Sequence, residues 1–169
     1  MSTRKFVQIA MLTSLGIALH MLEAYIPNPL IVFAPGAKLG LANIIALVTL
    51  VLFGLKYALL VNILRCIIGG LIVGSVMSMM YSISGAIIST ILMWATYKHL
   101  SKYFSLIGVS LLGAIGHNIA QLFVASLLVS NMHLFIYLPI MMLVSIFTGS
   151  FIGFTAIHVL RRLNTATQR

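Results

Sequence analysis

Along the chain, apolar runs of membrane-spanning length alternate with short breaks containing Lys, Arg, Gly, Pro or Asn. The breaks predict helices over Phe6–Tyr25, Leu39–Phe53, Lys56–Gly74, Met80–Tyr97, Phe104–Val129 and Leu134–Leu160. At about 20 residues per span, the chain has room for six crossings and no separate soluble domain. The expected architecture is therefore an all-α bundle of six transmembrane helices forming one domain over residues 1–169. The basic start of MSTRKFVQIAMLTSLGIALH precedes an apolar run long enough to span, so it is read as helix 1 and not as a cleaved leader.

Composition agrees: 62% of residues are hydrophobic and only 7% charged, with a mean hydropathy of +1.18. The net charge of +9 would suggest nucleic acid in a soluble protein, but its distribution gives another reason. Arg4, Lys5, Lys56, Lys98, Lys102, Arg161, Arg162 and Arg169 all fall on one side of the predicted bundle. Basic residues collect in cytoplasmic loops, so both termini are expected inside and nucleic acid is not an expected partner. Trp94 and Tyr97 before Lys98 follow the same order of interface aromatics and inner charge. A single cysteine, Cys66, excludes an internal disulfide and points to a packing role.

Against this background the polar residues inside the spans stand out. Arg65 lies nine residues beyond Lys56, about 13 Å along a helix and near the middle of a hydrocarbon core about 30 Å thick. A charge at that depth faces protein or water, and marks a functional site by default. Asn62 lies on the same helical face, but an amide cannot supply the missing negative charge. The short connection after helix 2 makes helices 2 and 3 antiparallel neighbours and brings Asn43 toward Arg65. In helix 5, His117, Asn118 and Gln121 share a broad face and suggest a polar cavity.

Glu23, the only acidic residue, is expected at the outer rim. The loop YIPNPLIVFAPGAK, with Pro29, Phe33, Pro35 and Gly36, cannot be regular helix and is read either as a gate over a pocket or as an ordinary interfacial loop. Lys38 beyond it is either solvated or placed to attract an anion. Tyr81, Ser82 and Ser84 give helix 4 a small and hydroxyl-rich outer half, read first as close packing, with Tyr81 and Ser82 kept as ligand contacts. Ala10, Ser14 and Ala18 form a small-residue ridge on helix 1, suited either to a neighbouring helix or to a separate subunit.

One carboxylate cannot build a paired-acid site, a two-metal site or the DDxxD platform that binds prenyl diphosphates through magnesium. The sequence also lacks a phosphate loop and HExxH. Amides beside His117 make poor metal ligands. Neither an enzyme nor a metal or other cofactor is expected. The residues favour binding of an organic anion with an apolar part: Arg65 and Lys38 would supply charge, Asn43, Asn118 and Gln121 orientation, and His117 a hydrogen bond or protonation-sensitive contact. A small channel or flippase is the alternative without partners, although no filter-like motif is present.

The phrases E-x-x-I-P-x-P from Glu23, PGAKLGLAN from Pro35 to Asn43, Gly54 with Arg65, YSISG from Tyr81 to Gly85, and GAIGHNIAQL from Gly113 to Leu122 resemble the Gx transporter family. Members of that family are often labelled heptaprenyl diphosphate synthase component I. More broadly, the size, span count and small-residue helix 1 resemble the substrate-binding S components of energy-coupling factor importers. That resemblance implies a subunit of a prokaryotic cytoplasmic membrane, embedded among lipids, that binds a small organic anion from outside. It would dock through Ala10, Ser14 and Ala18 onto a transmembrane coupling subunit driven by two cytoplasmic ATPases. The family label implies an isoprenoid or quinone precursor as ligand, or alternatively a non-catalytic membrane subunit supporting a polyprenyl diphosphate synthase.

Overall fold

The structure is a computed structural model that describes residues 2–25, 42–74 and 76–167. The described residues form α1 (Thr3–Tyr25), α2 (Asn43–Phe53), α3 (Leu55–Val73), α4 (Val76–His99), α5 (Leu106–Leu128) and α6 (Leu138–Thr167). A 3₁₀ helix, Met132–Tyr137, precedes α6. Five of the α-helices are long and apolar enough to cross a bilayer.

The exception is α2. Its 11 residues extend about 16 Å, half a hydrocarbon core, so the expected full span beginning at Leu39 is not what the described residues form. Every residue from Asn43 to Leu50 is buried. A helix apolar on all sides belongs in a core, and α2 packs against α1, α3, α4 and α6. Ile44, Leu47, Val48 and Leu50 meet Ala58, Met93, Val109, Ile152 and Ala156 around it. The outside of the bundle is correspondingly apolar: Phe147 is 76% exposed, Ile136 79% and Leu71 65%. Such surface is costly in water and suited to lipid.

Helix ends follow local chemistry. Gly54 joins α2 to α3 at φ 84° and ψ 179°, a backbone region essentially confined to glycine, and the reversal makes the two helices antiparallel neighbours. Gly74 ends α3 in the left-handed conformation, φ 74°, as helix-terminating glycines commonly do. The expected helix over Leu134–Leu160 begins later, at Leu138. Pro139 accounts for this, because a residue without an N–H is accommodated in a first helical turn and not further in.

Side-chain contacts fix the registers. Gly16 faces the Arg65 stem and Gly69 faces His20, so α1 and α3 run parallel. Cys66 contacts Ser82, Gly113 faces Met93, and Gly149 and Gly153 face Leu111 and Ile107, which makes each of α3/α4, α4/α5 and α5/α6 antiparallel. Lys5 Nζ lies 4.1 Å from the centre of the Tyr57 ring, and Lys98 Nζ 4.9 Å from that of Trp94. Together these contacts gather Arg4, Lys5, Lys56, Lys98, Lys102, Arg161 and Arg162 at one end of the bundle.

Candidate functional site

Arg65 is 4% exposed and held on both sides of its guanidinium. Nε donates to Asn62 Oδ1 at 2.6 Å and Nη2 to Asn43 Oδ1 at 2.7 Å. The turn at Gly54 sets α2 beside α3, so that Asn43 reaches the arginine from across the hairpin. Short N–H···O bonds from a cation are strong. Both acceptors are neutral amides, so the bonds orient the positive charge without cancelling it. Gly16 leaves room for the aliphatic stem, with a hypothetical Cβ 3.6 Å from Arg65 Cδ.

Asn62 is clamped in turn. Its Nδ2 donates to Ala86 O at 3.2 Å and Thr90 Oγ1 at 2.8 Å, while Thr90 donates back to Ala86 O. The next hairpin repeats the device. Asn118 Nδ2 donates to Met141 O at 3.3 Å and Ser145 Oγ at 2.7 Å, and Ser145 donates back to Met141 O. Each asparagine thus grips a carbonyl and the hydroxyl one turn beyond it on the following helix. Three residues after the first clamp stands Arg65; three residues after the second stands Gln121.

Gln121 has no equivalent of Asn43. It is 3% exposed, and neither Nε2 nor Oε1 has a hydrogen-bond partner among the described residues. It lines a cavity of about 250 Å³ whose other walls are Tyr81, Leu122, Ala125, Val129, Leu134, Tyr137 and Met141. The 3₁₀ helix lines this space at the end opposite the basic residues, with Leu134 and Tyr137 packed on Leu122 and Met141.

The expected site residues fall into distinct groups. Asn43 joins Arg65, and Tyr81 shares the cavity with Gln121, whereas Arg65, Asn43, His117, Asn118 and Ser82 are not in that cavity's wall. His117 packs against Gly85, where an added Cβ would lie 2.9 Å from its Nδ1. Asn118 spends its amide N–H groups on α6. Ser82 is buried and its carbonyl accepts from Cys66 Sγ at 3.6 Å. Ser84 and Ser89 donate within α4, to Tyr81 O and Ala86 O, as the packing interpretation of that hydroxyl-rich stretch requires.

Glu23 is buried near the end of α1. Ala10, Ser14 and Ala18 are all exposed, turned away from the inward residues Ile9, Thr13, Gly16 and His20. Among the described residues no neighbouring helix packs on this ridge. Lys38 and the loop residues Pro29, Phe33, Pro35 and Gly36 lie outside the described residues. Sequence reasoning passed over Tyr137, Leu134 and Met141, whose convergence depends on the 3₁₀ turn, and Thr90 and Ser145, whose only local signal was a hydroxyl in an apolar helix. Among the described residues no group of three His, Cys, Asp or Glu side chains is disposed to hold a metal.

These features define a multi-pass helical membrane protein that buries a cation and a set of amides between its helices. More specifically, the chain belongs to the family described as heptaprenyl diphosphate synthase component I, whose sequence profile matches residues 12–159. No curated protein and no solved structure matches it.

Proposed function

We propose that this protein is the substrate-binding membrane subunit of an energy-coupling factor type importer in a prokaryotic cytoplasmic membrane, with both termini inside. It captures a partly apolar organic anion, of the isoprenoid or quinone-precursor kind, from the outer side and has no catalytic activity of its own. The observation that carries this reading is the buried Arg65 guanidinium, oriented by two uncharged amide oxygens. A cation fixed in a low-dielectric interior, with no charged acceptor at its bonds among the described residues, is stabilised most by an anionic guest. The exposed ridge of Ala10, Ser14 and Ala18 supports docking, since small side chains let another helix approach closely. The partner is a transmembrane coupling subunit driven by two cytoplasmic ATPases.

Native mass spectrometry of the protein purified from its own membrane tests the reading. A retained organic anion is expected with the wild type, lost in Arg65→Gln and kept in part by Arg65→Lys. An identical retained species in Arg65→Gln would sink the anion anchor. The family description favours a second reading, a non-catalytic membrane subunit supporting a polyprenyl diphosphate synthase. That reading expects a soluble synthase, and no coupling subunit, in the same spectra.

A further inference from the structure

The cavity beside Gln121 has a chemistry unlike that of the Arg65 site. Its wall is built from Leu122, Ala125, Val129, Leu134 and Met141, with two phenols, Tyr81 and Tyr137. Among the described residues no charged side chain contributes to it. Its one amide, Gln121, is 3% exposed and leaves both a donor and an acceptor unused among the described residues. Buried polar groups are almost always hydrogen-bonded, and one that is not calls for a partner. The repeat of the asparagine clamp sharpens the contrast. Where Arg65 is completed by Asn43 from α2, Gln121 is followed by empty volume.

We infer that this cavity binds a small, uncharged, mostly apolar molecule carrying adjacent hydrogen-bond acceptor and donor groups, such as a carboxamide or lactam edge, which pairs with the Gln121 amide. A primary amide offers N–H and C=O side by side, so a ligand edge of the same kind satisfies both atoms at once. A carboxylate would satisfy only the donor and would lose its hydration among apolar walls. Size narrows the class further. An apolar cavity of about 150 Å³ holds benzene, so a volume of about 250 Å³ suits roughly ten to a dozen non-hydrogen atoms. This inference deepens the reading above only in that both put a small molecule inside the bundle. Its test leaves Arg65 intact and needs no transport.

The test uses purified protein in nanodiscs and three probes of one shape: 4-isopropylbenzamide, 4-isopropylbenzoate and the hydrocarbon 4-isopropyltoluene. Calorimetric titration is expected to show the amide bound at least tenfold more tightly than either of the others. Gln121→Leu, close in size, is expected to reverse the preference: the amide weakens at least tenfold and the hydrocarbon tightens severalfold. Ala125→Phe, which fills the space, is expected to abolish binding of all three. The inference is overturned if no probe binds the wild type, or if the benzoate binds best. It is also overturned if Gln121→Leu leaves the ranking unchanged, as expected of a crevice that merely admits detergent or lipid tails.

Discussion

Two asparagines do similar geometric work but carry different loads. Asn62 bridges to α4 and also accepts from the Arg65 guanidinium, whereas Asn118 bridges α5 to α6 between neutral groups. Removing an acceptor from a buried cation costs more than removing a neutral bond, because the desolvated charge stays behind. Asn62→Leu is therefore expected to destabilise the protein by about 1.5–3 kcal/mol, the range for hydrogen bonds to charged groups. Asn118→Leu is expected to cost about 1 kcal/mol or less, as for neutral interhelical bonds in membranes. Reversible unfolding in mixed micelles measures both. Adding Arg65→Leu to Asn62→Leu should recover much of the first loss, since exchanging both partners for apolar groups leaves no stranded charge. Equal costs for the two asparagines, with no recovery in the double variant, would show that the charge plays no part.

At the scale of the helix, the glycines separate into those that let backbones touch and those that merely fit. A Cβ added at Gly153 on α6 would come within 2.5 Å of Ile107 Cα and 3.0 Å of Leu106 O on α5. Backbone cannot rotate aside, so Gly153→Ala must part the two helices at a cost of about 1–3 kcal/mol. At Gly16 on α1 the nearest atoms are Arg65 Cδ at 3.6 Å and Ile45 Cγ2 at 3.7 Å, ordinary contact distances. Gly16→Ala should therefore stabilise by up to about 1 kcal/mol through helix propensity. Opposite signs in the same unfolding assay are the expected outcome, and a loss at both positions would refute the distinction. The convergence of Asn43 on Arg65 was legible in the sequence, because a short turn forces neighbours together. The short, buried α2 was not. An apolar run reads the same whether lipid or protein surrounds it, and only the packing of α1, α3, α4 and α6 around Asn43–Leu50 decides. The Gln121 cavity was half legible: the amide stood out in an apolar helix, but Leu134 and Tyr137 reach it only through a 3₁₀ turn that no periodicity announces.

For the molecule as a whole, charge rather than shape is expected to set the direction in the membrane. The hairpin registers bring Arg4, Lys5, Lys56, Lys98, Lys102, Arg161 and Arg162 to one end, while Asn131 and His133 stand exposed at the other. Each cation near an anionic cytoplasmic leaflet is worth about 1 kcal/mol, and together they favour one orientation by several kcal/mol. The protein carries its own clean reporter background, because Cys66 is its only cysteine and is 1% exposed against Ser82. Cysteines introduced at the exposed positions Asn131 and Ser101 therefore report alone. Asn131→Cys is expected to react with a membrane-impermeant maleimide in intact cells, Ser101→Cys only after permeabilisation, and the wild type in neither case until it is unfolded. The reverse pattern would invert the bundle. It would also turn the Gln121 cavity, which lies at the end away from the basic residues, toward the cytoplasm, where it could not receive a ligand from outside.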